Sequence, residues 1–131
     1  MKLIFLIAFL FPLIINAQIV QYTPNRKLVK TVESSYYDTE YFYFKNSSTK
    51  EITLNFKVIE STLLPDWSAT ICTNKSCFNT IPNSGTFGTI AANNKAFFAF
   101  NFAANQTNGS GIVRFLITNL SSIDNNWSEA L

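Results

Sequence analysis

Residues 51–61 carry the clearest two-residue period in the chain: Ile52, Leu54, Phe56 and Val58 alternate with Thr53, Asn55 and Lys57. One apolar face and one wet face predict a half-buried β-strand. A second strand is predicted over residues 36–46, with Tyr41 and Tyr43 on one side and Phe42 and Phe44 on the other. The polar run at 45–50 is short enough to join the two as an antiparallel pair. Trp67, Ala69 and Ile71 share one face of a third strand. In the next long one, Ala96, Phe98, Phe100 and Phe102 alternate with Phe97, Ala99, Asn101 and Ala103. Residues 112–118 predict the last clear strand, with Val113, Phe115 and Ile117 inward. Residues 86–91 read as a short strand in which Phe87 follows no clear period, and Ile19-Val20 and Leu28-Val29 are shorter candidates still. Turn residues punctuate the series at Pro24-Asn25, Pro65-Asp66, 81–85, 91–95 and 105–111. No amphipathic helix is readable. Short strands at close spacing predict an all-β antiparallel sandwich of about seven strands.

The N-terminus does not belong to this pattern. Lys2 precedes an unbroken apolar run from Leu3 to Ile15, and Asn16-Ala17 then leads into Gln18. The run is shorter than the ~20 residues of a spanning helix and has the layout of a secretory signal peptide. The expected organisation is therefore a signal peptide at 1–17 and one sandwich domain at 18–131, with no membrane span after cleavage. The formal charge of +2 gives no electrostatic case for nucleic acid or an anionic membrane. The thirteen phenylalanines suit an aromatic strand core.

Cys72 and Cys77 are the only cysteines. In an exported chain an even pair reads first as a disulfide, here closing a tight loop. The spacing is not that of a C-x-x-C redox pair, and two thiolates without any histidine fall short of a zinc shell. Trp67, just after the Leu64-Pro65-Asp66 turn, is expected in the core, packed against that bridge. A ligand-stacking role is the sharper alternative.

Catalytic chemistry finds little to work with. The absence of histidine removes Ser-His-Asp and Cys-His arrangements. Asp38 and Glu40 share a strand face if extended, a layout open to a carboxylate pair but more common in solvated edge charges. Gly109-Ser-Gly111 lacks the helix and lysine of a phosphate loop. Tyr36, Tyr37, Tyr41 and Tyr43 could form an exposed aromatic platform for carbohydrate or another protein. No catalytic residue, metal ligand or cofactor is expected.

The ordered features resemble a family of immunoglobulin-like modules in secreted proteins of the Bacteroidota. They are an aromatic strand ending in Lys45-Asn46-Ser47, the strand at 52–59, Leu64-Pro65-x-Trp67, Cys72-x4-Cys77, Phe87 with Ile90, the strand at 98–102, and Gly109-x-Gly111 entering 113–117. The resemblance implies an immunoglobulin-like β-sandwich, broadly like major-sperm-protein and pilus-chaperone folds, with no catalytic residues to carry over. Many such modules precede a type IX sorting domain. None follows in the sequence to Leu131, which leaves periplasm, cell surface and extracellular space open. The expected function is an exported non-catalytic binding or structural module. The alternative is a periplasmic chaperone or assembly factor that pairs a partner strand. After the strand at 112–118 only a short segment around Trp127 is left to close the sheet. Either that segment forms a weak terminal strand that takes no partner, or Ile112, Arg114, Leu116 and Trp127 border an open edge able to receive an extended partner segment or a second copy.

Overall fold

The computed structural model describes residues 20–23, 29–121 and 128–130. The expected signal peptide at 1–17 and Trp127 both lie outside the described residues. Nine strands are present among those described: β1 (Val20–Thr23), β2 (Tyr37–Asn46), β3 (Ile52–Ser61), β4 (Ser68–Thr73), β5 (Cys77–Phe78), β6 (Ser84–Ile90), β7 (Lys95–Ala103), β8 (Val113–Asn119) and β9 (Ser128–Ala130). They form two antiparallel sheets, ordered β1-β2-β7-β4-β5 and β6-β3-β8-β9. Setting aside β5 and β6, this is the ABED/CFG order of a seven-stranded immunoglobulin-type sandwich. The two extra strands lie between the D and E equivalents. One extends the first sheet beyond β4, and the other flanks β3.

The period-two segments dictate which side chains meet. Ile52, Leu54 and Phe56 of β3 are buried, as are Phe115 and Ile117 of β8 and Phe98 of β7. Val58, Phe100 and Val113 are partly buried and pack against that cluster. Phe44, Ile71, Phe87, Ile90 and Ala96 complete it. The centre is aromatic: Phe56 meets Phe98, Phe115 and Phe87 edge-on at 5.6–6.0 Å, and Phe98 meets Phe115 at 4.8 Å. Edge-to-face pairs of this kind add to the burial of the rings themselves.

Phe87 reaches the core through a β-bulge. Leu54 pairs with Gly88 and Asn55 with Thr86, so Phe87 is the extra residue in β6. Gly88 adopts φ +76, a conformation that side chains rarely tolerate. The bulge turns Phe87 inward to 2% exposure, against Phe44 at 4.8 Å.

Candidate functional site

Two regions stand out: a groove at one side of the sandwich, and the outer face of the five-stranded sheet. The groove begins with the end of the molecule that carries Trp67. The turn before β4 closes with Trp67 N–H donating to Leu64 O (3.0 Å). The indole then lies over the glycine loop that enters β8. A Cβ on Gly111 would sit 2.9 Å from Trp67 Cζ3, and one on Gly109 would sit 2.5 Å from Leu64 Cδ1. The indole Nε1–H donates to Thr107 O (2.8 Å), and Asn105 Nδ2 donates to Asp66 O (2.7 Å). The Leu-Pro-x-Trp and Gly-x-Gly motifs are thus two halves of one corner. Side chains at the two glycines would run into this corner, at Leu64 for Gly109 and at the indole for Gly111.

This corrects the expectation for Trp67. It is half-buried rather than part of the central cluster, and its ring packs edge-on against Phe102 at 5.1 Å. The Cys72–Cys77 disulfide is formed, but it joins directly paired residues of β4 and β5 at the other end of β4. The bridge faces outward, beside Ala99 of β7, and the indole does not touch it. The strand that separates them is the reason: Trp67 precedes β4 and Cys72 lies near its end.

Between this corner and β2, the two sheets part to leave a groove of about 960 Å³. Its floor is apolar, with Phe42, Phe98, Phe100, Phe102, Phe115 and Val113 among its lining residues. Segment 29–34 forms another wall. Lys30 ties that segment down, donating to Asp38 (2.8 Å) and to Glu40. These hydrogen bonds, Asp38 first and Glu40 second, hold the Lys30 ammonium well above the ordinary lysine range. Asp38 and Glu40 do share a strand face, the inward one that also carries Phe42 and Phe44. What joins them is a common cation. Nothing in the sequence pattern linked Lys30 to them, because the contact depends on how segment 29–34 is laid over β2.

The strands bordering the groove are only half paired. Among the described residues, β1 pairs with 43–46 of β2, and no described strand lies on that side of 37–42. On the opposite sheet β9 pairs with Leu116, Ile117 and Thr118 of β8, and no described strand lies on that side of 113–115, whose other side is paired with β3. The edge expected at Ile112, Arg114, Leu116 and Trp127 is therefore narrower than the sequence reading had it. Leu116 faces Ala130. Both backbone groups of Ile112 are engaged by Thr62, whose N–H donates to Ile112 O and whose Oγ1 accepts from Ile112 N–H, both at 2.8 Å. Arg114 pairs across β3 with Glu60, main chain and side chain alike.

The outer face of the five-stranded sheet is the second region. Tyr41 and Tyr43 of β2 are 49% and 40% exposed, nearly parallel at 15°, with centroids 6.3 Å apart. Phe97 of β7 lies beside Tyr41 at 6.4 Å. Tyr37 is on the same strand face and exposed, whereas Tyr36 precedes the strand. Next to the rings, Thr39 Oγ1 donates to Asn101 Oδ1 (2.9 Å) and Asn101 Nδ2 donates to Thr70 Oγ1 (3.0 Å), a polar ladder across three strands. The alternation had assigned Asn101 to the surface without showing these bonds.

No group of three or more metal-ligating side chains occurs among the described residues, and none of their helices is long and apolar enough to cross a membrane. Neither a protein-family model nor a curated protein sequence matches the chain. Among solved structures it is similar to the ASH/PapD-like domain of human CEP192 (PapD-like domain 7), at 12% identity and a TM-score of 0.46, over 86% of this chain and 79% of that one. It is also similar to the N-terminal domain of PorA, at 14% identity and a TM-score of 0.44, over 76% of this chain and 77% of that one.

Proposed function

We propose that the chain is an exported, non-catalytic immunoglobulin-like module whose groove receives an extended segment of a protein partner. The observation that carries this reading is the coincidence of an apolar groove of about 960 Å³ with two strands at its border that are half paired among the described residues, 37–42 of β2 and 113–115 of β8. An extended segment laid there would bury alternate side chains over Phe100 and Phe102 while its backbone pairs with a free strand half. The leader-like segment at 1–17 and a disulfide in so small a domain support export. The Trp67–Gly111 corner supports kinship with secreted Bacteroidota modules. An assembly factor or chaperone that holds such a segment would use the same surface.

The test is hydrogen exchange of the purified protein with a panel of extended peptides of alternating apolar sequence. The expected result is saturable binding that slows exchange at 113–115 or 37–42 and is lost in Phe100→Ala. Binding that leaves both half-strands unprotected, or no binding by any member of the panel, overturns the groove as the site.

A further inference from the structure

We infer that the outer face of the five-stranded sheet is a second binding site, and that its ligand is an acidic polysaccharide. The site is distinct from the groove, because β2 and β7 turn alternate residues to opposite faces. Inward go Phe42, Phe98 and Phe100, and outward go Tyr41, Tyr43 and Phe97.

Three features of this face define what it recognises. The first is the aromatic cluster of the exposed Tyr41 and Tyr43 with the half-buried Phe97 beside them, which offers ring surface to the apolar C–H face of a sugar. The second is the Thr39–Asn101–Thr70 ladder, whose groups are held in place by one another. They present hydroxyl and amide groups with remaining hydrogen-bonding capacity, the complement of sugar hydroxyls. The third is charge. Lys45 and Lys95 face each other directly across β2 and β7, an arrangement of like charges that costs stability unless something offsets it. Neither has an ion-pair partner among the described residues. The turn that carries Lys75 is fastened to the same end of the face by Phe97 N–H donating to Asn74 Oδ1 (2.6 Å). The outward positions of β2, β7 and β4 include no Asp or Glu. An anion is what this end of the face lacks.

A polysaccharide fits better than an acidic peptide for a topological reason. β7 is paired with β2 over 95–103 and with β4 over 98–103, and beyond β4 the Phe97 N–H is taken by Asn74 Oδ1, so the centre of the face offers no free backbone to a peptide strand. Recognition there rests on side chains alone: rings, hydroxyls, an amide and ammonium groups. Those are the groups that complement a carboxylated sugar chain.

The experiment titrates the purified protein with oligogalacturonate, oligoalginate and hyaluronan fragments, alongside neutral cello-oligosaccharides and poly-glutamate of similar length. At least one acidic glycan is expected to bind saturably. Tyr41→Ala/Tyr43→Ala should weaken it about tenfold or more, and Lys45→Gln/Lys95→Gln should weaken it by a similar factor and flatten its salt dependence. Thermal melts of both double variants check that the fold persists. The gentler Asn101→Ser and Tyr43→Leu single variants, each expected to weaken binding severalfold, replace any double variant that fails to fold. Absence of binding by all three acidic glycans overturns the inference. So does poly-glutamate binding as tightly as the best glycan, or glycan binding indifferent to the tyrosines. Phe100→Ala, on the opposite face of β7 from the rings and lysines, should leave glycan binding unchanged once a thermal melt shows the variant folded, which separates the two sites.

Discussion

Asn46 is fully buried, and its side chain holds together three parts of the chain. Nδ2 donates to Lys50 O (2.7 Å) and Ile90 O (3.0 Å), with Ala91 O at 3.2 Å, while Oδ1 accepts from Ser48 N–H and Oγ–H. Asn46→Ala should therefore destabilise the protein by about 2–3 kcal/mol in urea unfolding, since several buried groups lose a partner at once. Asn46→Asp, although isosteric, should cost at least as much, because a carboxylate cannot donate to those carbonyls. Equal stability of the Asp variant and the parent would mean that shape, not donation, is what the site needs. Lys30 gives a pH expectation. Its folded-state pKa lies above the unfolded one, so the contribution of its ion pairs is complete below the ordinary lysine range and is lost only as pH rises beyond it. Lys30→Met and the parent should then show parallel stability curves between about pH 6 and about pH 9. Divergence inside that window would point to another titrating group.

At the scale of elements, the corner between the 64–67 turn and the glycine loop is a tight fit. Gly111→Ala would place a methyl 2.9 Å from Trp67 Cζ3 and 3.1 Å from Leu63 Cδ2. Overpacking of this kind costs about 1–3 kcal/mol, and the indole emission should shift as the ring is displaced. An unshifted spectrum with unchanged stability would show that the loop yields instead. The disulfide is a local constraint on the β4–β5 hairpin, six residues from end to end. Cys72→Ala/Cys77→Ala should remain folded and lose about 2 kcal/mol. Failure to fold would mean that the hairpin supports more of the sheet than its size suggests.

For the whole molecule, the aromatic cluster draws on both sheets, so the sandwich should unfold as one unit. Phe56 touches Phe78, Phe87, Phe98 and Phe115, and Phe56→Ala should cost about 3–5 kcal/mol. Phe100 also alternates inward, but one side of its ring lines the groove, and Phe100→Ala should cost only about 1–2 kcal/mol. Trp67 fluorescence, read in a Trp127→Phe background, should report the same transition as far-UV circular dichroism. Separate transitions would show the Trp67 corner opening independently of the core.

The alternation at 52–58, 96–102 and 113–117 was enough to name the strands and most of their buried residues, because the period of an extended chain is a local property that survives in any sheet. The cysteine pair was legible for a similar reason: two residues so close in sequence can bridge within one hairpin. Phe87 was not legible, since its inward turn comes from a bulge defined by its pairing with β3. Nor was the position of Trp67, whose neighbours Thr107, Gly109 and Gly111 lie some forty residues away in the chain. The groove, the Lys30 clamp and the aromatic outer face depend on which strands stand side by side and where pairing stops. Alternation assigns each residue to one of two faces; the order of strands in the sheets decides what each face meets.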